Sequence, residues 1–262
     1  MMLALLLGVA FEGEITDPDG NGVEDATVVF YDLRFRFLGD VVSTDASGHF
    51  SADVPAQILR VRVLPPHPTT VSEIWYGGSL RACASPRIDP VQTGSIEQQL
   101  PWGGTLTGQL FTDDRFPYAD VGVEAYPVWQ SEVSVSSREV QTDAEGAFTI
   151  TGLPPDPDQE GFVLAIDAGS AGPRQFYDGA TSEPLATLIA LEDGGQTDLL
   201  QVATFPGATL GGQVLSSQGP VAGAEVWVAT SATRTTHTDA QGRWTVDRVA
   251  PGSARITAVA DG

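Results

Sequence analysis

Lysine is absent from this 262-residue chain: all 13 basic residues are arginine, set against 34 Asp plus Glu. The formal net charge of −21 repels phosphate backbones and anionic lipid heads, so neither nucleic acid nor membrane insertion is expected. Cysteine occurs once, as Cys83, and no disulfide can form within the chain. That thiol is read either as an intermolecular link or as a small buried hydrophobe, and the strand-like composition of LRACAS favours burial. Histidine is limited to His49, His67 and His237, with no partner at metal-ligand spacing and no HExxH. A GxSxG elbow is also missing. A two-carboxylate glycosidase stays open among so many acids, but an exposed carboxylate ordinarily serves solubility. No catalytic residue is assigned, no cofactor is expected beyond a weak Ca²⁺, and the chain is read as a non-enzyme.

Long apolar runs are scarce as well. The one that exists opens the chain as MMLALLLGVA, the length of a signal-peptide core, with Gly8-Val9-Ala10 as a small-x-small cleavage triplet. No basic residue precedes it, and it is too short to span a bilayer. Residues 1–10 are therefore read as an export signal, with a first strand or a misassigned start as the alternatives.

What the chain has in quantity is repetition. The heptads TDASGHF, TDAEGAF and TDAQGRW begin at Thr44, Thr142 and Thr238, evenly spaced by roughly a hundred residues. Each is preceded by a short strand, a polar turn and an alternating strand, from Phe11, Leu106 and Leu210. A further element, WYGG at Trp75 and FYDG at Phe176, occurs only twice. Period-two patterning identifies strands with one inward face: Phe35 and Phe37 against Arg34 and Arg36, Val61 and Val63 against Arg60 and Arg62, Ala224, Val226 and Val228 against Glu225 and Trp227. Turn signals every eight to twelve residues, with 29 glycines and 18 prolines, predict an all-β fold of three tandem β-sandwich modules. Their predicted spans are 11–101, 102–206 and 207–262, the last short or truncated. The heptad itself reads as a hairpin: Thr44 ends a strand, Asp45 closes a turn, Gly48 takes positive φ, and Phe50 starts the return strand facing the core.

A GxV/I opening followed by TDAxGxF resembles the carboxypeptidase regulatory-like repeats and the B-type repeats of bacterial surface proteins, over most of residues 11–262. That resemblance implies a prealbumin-like, seven-stranded, Ig-like sandwich, found in tandem in exported proteins as a spacer or accessory module without catalytic residues. Some B-type repeats lock themselves with a Lys–Asn isopeptide bond, which a chain without lysine cannot make.

Two groups of residues are candidates for binding. Asp17, Asp19, Asn21 and Asp25 in DPDGNGVED offer oxygen ligands to a hard cation such as Ca²⁺, although the bidentate Glu of an EF-hand is missing and a plain turn is the competing reading. The matched pairs Trp75-Tyr76 and Phe176-Tyr177 offer flat faces for sugar rings or a protein partner, with packing at a module junction as the competing reading. The functional reading is an exported structural or adhesive protein of a bacterial surface or secreted assembly. Its expected partner is an envelope protein or polysaccharide, and the alternatives are a carbohydrate-binding module or an accessory region of a secreted hydrolase. The short third module is expected to expose a sheet edge open to a strand from another chain.

If the heptad aromatic is a core residue, Phe148→Ala costs about 3–5 kcal/mol, whereas Glu145→Ala in the same turn is nearly neutral. Urea midpoints of the two variants check this; equal midpoints would contradict it.

Overall fold

The computed structural model describes residues 8–260, apart from residues 40, 113, 129–136, 156–159, 169–171, 193, 206 and 231–232. Seven strands form in the first third of the chain: β1 (Gly8–Thr16), β2 (Thr27–Tyr31), β3 (Val42–Ser43), β4 (His49–Pro55), β5 (Arg60–Leu64), β6 (Ile74–Trp75) and β7 (Ser95–Gln99). They build two sheets, β4-β1-β7 and β3-β2-β5-β6, antiparallel except where β7 runs parallel to β1. Alternation decides which side chains enter: Phe50, Ala52 and Val54 of β4 are buried while His49, Ser51 and Asp53 face out. Phe11 and Ile15 of β1, Phe30 of β2, Val61 and Val63 of β5, and Ile96 of β7 close one apolar cluster between the sheets.

The middle of the chain repeats this arrangement strand for strand. It comprises β8 (Gly104–Phe111), β9 (Gly122–Pro127), β10 (Arg138–Gln141), β11 (Ala147–Leu153), β12 (Phe162–Asp167), β13 (Gln175–Phe176) and β14 (Gln196–Ala203). The sheets are β11-β8-β14 and β10-β9-β12-β13, again with one parallel pair, β8 and β14, and with a separate core around Leu106, Leu110, Phe148 and Leu164. The last part contains β15 (Ala208–Gln213), β16 (Leu215–Ser216), β17 (Gly219–Pro220), β18 (Glu225–Ala229), β19 (Thr233–His237), β20 (Arg243–Val249) and β21 (Arg255–Val259). Here β15 pairs with β20, β18 lies between β19 and β21, and β16 and β17 form a small ribbon in the first turn. Among the described residues, β6 and β7 have no counterpart in this part. The all-β sandwich is as expected from the period-two pattern.

Three sequence expectations need correction. The heptad is not a hairpin: β3 bonds to β2 whereas β4 bonds to β1, so TDASGHF carries the chain from one sheet to the other, as do its two copies. Residues 34–37 form no strand, because Phe35 adopts φ 59° in a turn closed by Asp32. Cys83 is exposed: LRACAS forms a 3₁₀ turn at Ala82–Ala84, in which Ala82 takes the inward position. At the N-terminus, Gly8-Val9-Ala10 pair with Pro55, Val54 and Asp53 as the start of β1; Met1–Leu7 lie outside the described residues.

One local geometry explains much of the connectivity. In Asp45-Ala-Ser-Gly-His, the Asp45 Oδ1 accepts the amides of Ser47 and His49 at 2.8 and 3.0 Å, while Gly48 sits at φ 80°. Asp143 and Asp239 do the same for residues two and four further on. So do Asp17 in DPDGN and Asp32 in DLRFR, where Phe35 occupies the glycine position. The fourth residue must be left-handed for both amides to converge on one oxygen, which glycine does without a Cβ penalty. At Gly146 an added Cβ would also lie 2.5 Å from the Leu110 carbonyl oxygen.

In TDDRF the same position is taken by Arg115 at φ 62°, an exposed residue bearing the left-handed penalty. Arg115→Gly is therefore expected to stabilise the protein by about 0.5–1 kcal/mol, read as a higher urea midpoint.

Candidate functional site

The three heptads share a further contact that their sequence did not advertise. Thr44, Thr142 and Thr238 are all buried. The Thr142 hydroxyl accepts the Val121 amide at 3.0 Å and donates to the Tyr118 carbonyl at 2.7 Å. Thr238 bridges Ala224 and Val221 in the same way, as Thr44 bridges Ala26 and Val23. Each hydroxyl thus ties the crossing segment to the entry of β2, β9 or β18. Identity of the first letter in all three heptads was the available signal.

The four candidate metal ligands do not converge. Asp17 uses Oδ1 for two backbone amides and Oδ2 for the Asn21 side-chain amide at 3.0 Å. That last bond leads the effects holding its carboxyl below the usual value of 3.8. Asp25 is a left-handed turn residue, φ 56°, whose amide donates to the Thr44 carbonyl. Asp120 and Gly223 stand in its place in the other copies. Asp19 contributes its amide to Asp17. Among the described residues, no three His, Cys, Asp or Glu side chains gather as a metal would need. DPDGN is the same D-x-x-G turn as the heptads, which is why its acids resemble a cation loop.

The paired aromatics split between two faces, because successive strand residues point oppositely. Trp75 is fully buried on the outer face of its sheet, with the Tyr31 ring at 5.1 Å, the Phe35 ring edge-on at 6.2 Å and the Arg62 guanidinium over it at 5.8 Å. Tyr76 packs against the inner core. Phe176 is likewise buried on the outer face with Val163 and Ala165, and Tyr177 packs inward. Trp75 and Phe176 are covered packing residues and present no platform for a sugar ring.

Sequence reasoning also missed a charged cluster where the first sandwich meets the second. Glu73 is completely buried and accepts from Arg62 at 2.8 Å. Arg138, at the start of β10, is buried beside them; burial pulls its pKa down, and the Glu73 charge opposes that pull. Burial, then Arg138, also lowers His67, against the influence of Glu73. His67 and Arg138 line a cleft of about 380 Å³ with Thr149 and Thr151. Two broader clefts, of about 570 and 850 Å³, open over the equivalent glycines Gly13 and Gly108. The first is lined by Glu12, Glu14, Asp45, His49 and Glu97, the second chiefly by Thr, Gln and Asp198. The two clefts share position but not chemistry.

Residues 209–262 match the family model of the carboxypeptidase regulatory-like domain, in agreement with the resemblance carried by the repeats. Among solved structures, a streptococcal ancillary pilin aligns at 11% identity over 97% of this chain and 96% of that one, with TM-score 0.34. The shaft pilin SpaA of Lactobacillus rhamnosus GG aligns at 8% identity over 78% and 99%, with TM-score 0.31. The Bacillus anthracis TIE protein aligns at 12% identity over 97% and 46%, with TM-score 0.26. Among curated proteins no relative matches.

If the heptad threonine is a tie between sheets, Thr142→Val strands a buried amide and costs about 1–3 kcal/mol, whereas Thr142→Ser keeps the hydroxyl and most of the stability. Chemical denaturation of both variants tests this, and a loss in Thr142→Ser as large as in Thr142→Val would contradict a tie made by the hydroxyl alone.

Proposed function

We propose that this protein is a non-catalytic exported spacer, a surface or secreted chain whose repeated β-sandwiches supply length and stiffness, with 11–101, 102–206 and 207–262 as independently folding units. The observation that carries this reading is that the same buried Thr tie and the same Asp-closed turn recur in every copy, while the surface clefts differ from copy to copy. Selection on a catalytic or ligand site would favour a particular set of exposed side chains; repetition of interior contacts favours a mechanical role. The joint at PWGG supports stiffness. The Gly103 amide donates to the Thr70 carbonyl, the Ser72 amide donates to the Pro101 carbonyl, and Val71 bridges Trp102, so this connection is bonded to the sandwich it leaves. A second contact joins the later units, where the Arg234 guanidinium donates to the Gly172 carbonyl at 3.2 Å.

Export, attachment to an envelope protein or polysaccharide, and a bacterial surface location belong to the same reading, supported by the regulatory-like match and by the composition. The carbohydrate-binding alternative loses Trp75 and Phe176 as stacking residues because both are buried.

The mechanical reading predicts an extended particle in small-angle scattering. It also predicts stepwise force–extension curves, with two similar unfolding events of about 300 Å of released contour each and a shorter third. A compact particle, or one cooperative rupture for the whole chain, would overturn it.

A further inference from the structure

β10 and β19 carry the same arginine. Arg138 stands four residues before the heptad threonine Thr142, as Arg234 stands before Thr238, and the two pair with equivalent positions, Ala125 of β9 and Val228 of β18. Each lies where its own sandwich meets the one before. Arg234 finds an acceptor there, because its guanidinium donates to the Gly172 carbonyl at 3.2 Å. Arg138 instead arrives beside Glu73 and Arg62, whose charges act on it in opposite directions.

Only 8% of Arg138 is exposed. Its Nε and Nη2 are shut from solvent and have no hydrogen-bond partner among the described residues. These two nitrogens lie side by side on one edge of the planar guanidinium, the edge that holds both oxygens of a carboxylate in a parallel pair of bonds. A buried cation with that pair unmade keeps the cost of desolvation without the compensating bonds.

Arg138 also lines the cleft of about 380 Å³, together with His67 of the first sandwich and Glu139, Thr149 and Thr151 of the second. Burial, then the Arg138 charge, lowers the His67 pKa, so its imidazole is uncharged at neutral pH. Negative charge stands on two sides, with Glu73 in the interior and the exposed Glu139 at the cleft. A ligand with one negative charge meets less repulsion there than doubly charged phosphate.

We infer that this cleft is a binding site for a small monocarboxylate, gripped by Nε and Nη2 of Arg138 when the guanidinium turns that edge to the cleft it already lines. Thr149, Thr151 and His67 close around the rest of the ligand. Since both sandwiches line the cleft, its occupant ties one to the other. This inference stands independently of the proposed spacer role.

The test is a titration of the whole isotope-labelled chain with sodium acetate, at neutral pH and constant ionic strength, followed by NMR through the Arg138 Nε–H signal and the Thr149 and Thr151 amides. Saturable shifts are expected, half-complete on the order of 10 mM acetate, with no such response to chloride. Arg138→Lys keeps the charge without the planar fork and is expected to weaken binding by about tenfold or more, read at the threonine amides; its fold is checked by thermal melting. If that variant does not fold, the acetate and chloride titrations of the unaltered chain decide. Absence of a saturable shift, an equal response to chloride, or undiminished binding to folded Arg138→Lys would overturn the inference. Phosphate displacing acetate at lower concentration would overturn it too, in favour of a dianion as the occupant.

Discussion

A carboxylate closing a five-residue turn, with a buried threonine beside it, is the constraint on which this architecture depends. Two sheets of a sandwich touch only through side chains, so their relative position is set where the chain crosses between them. In every copy that crossing is TDAxGx: the threonine hydroxyl bonds the entry of one sheet and the aspartate carboxylate starts the strand of the other. The aromatic that follows then falls over a glycine of the neighbouring strand. Phe50 lies over Gly13, Phe148 over Gly108 and Trp244 over Gly212, each too close for a Cβ. Turn, tie and core are one device, which explains why the heptad persists while the residues around it vary.

The same device accounts for part of the acidity. Asp17, Asp32 and Asp45 all have pKa values below the usual carboxylate value, because amide or side-chain donors favour the charged form. Their folded pKa lies below the unfolded one, so the stability they contribute is present above the ordinary value of 3.8 and is lost as pH falls through the lower, folded one. The arginines do a complementary task. Arg60 is buried and directs its guanidinium at the carbonyls of Ala82, Cys83 and Ser85, fastening the connection after β6. Arg62 holds Glu73, and Arg174 holds Glu124 at 2.7 Å. A planar guanidinium reaches several acceptors at once, which an ammonium at the end of a lysine does not do.

These interior arrangements connect to function through what they leave unconserved between copies. The clefts over Gly13 and Gly108 occupy equivalent places yet differ in charge, whereas the crossings between sheets are bonded alike in all three copies. A molecule built this way spends its repeated features on holding shape. Among the described residues the last part pairs neither β15 nor β21 on its second edge, while its Trp244, Val226 and Val228 are as well buried as their counterparts.

The repeat, the all-β class, the inward aromatics Phe50, Phe148 and Trp244, and the left-handed glycines were legible in the sequence, because each follows from local patterning: period two selects a face, and positive φ selects glycine. Tertiary structure alone decided which strands became neighbours. Backbone hydrogen bonds are the same for every residue, so nothing in TDASGHF distinguishes a hairpin from a crossing between sheets. It also decided that Trp75 turns to a covered outer face while Tyr76 enters the core, and that Glu73 and Arg138, far apart in the chain, share one buried junction. Burial of that kind depends on what arrives from elsewhere in the fold, which no window of neighbouring residues contains.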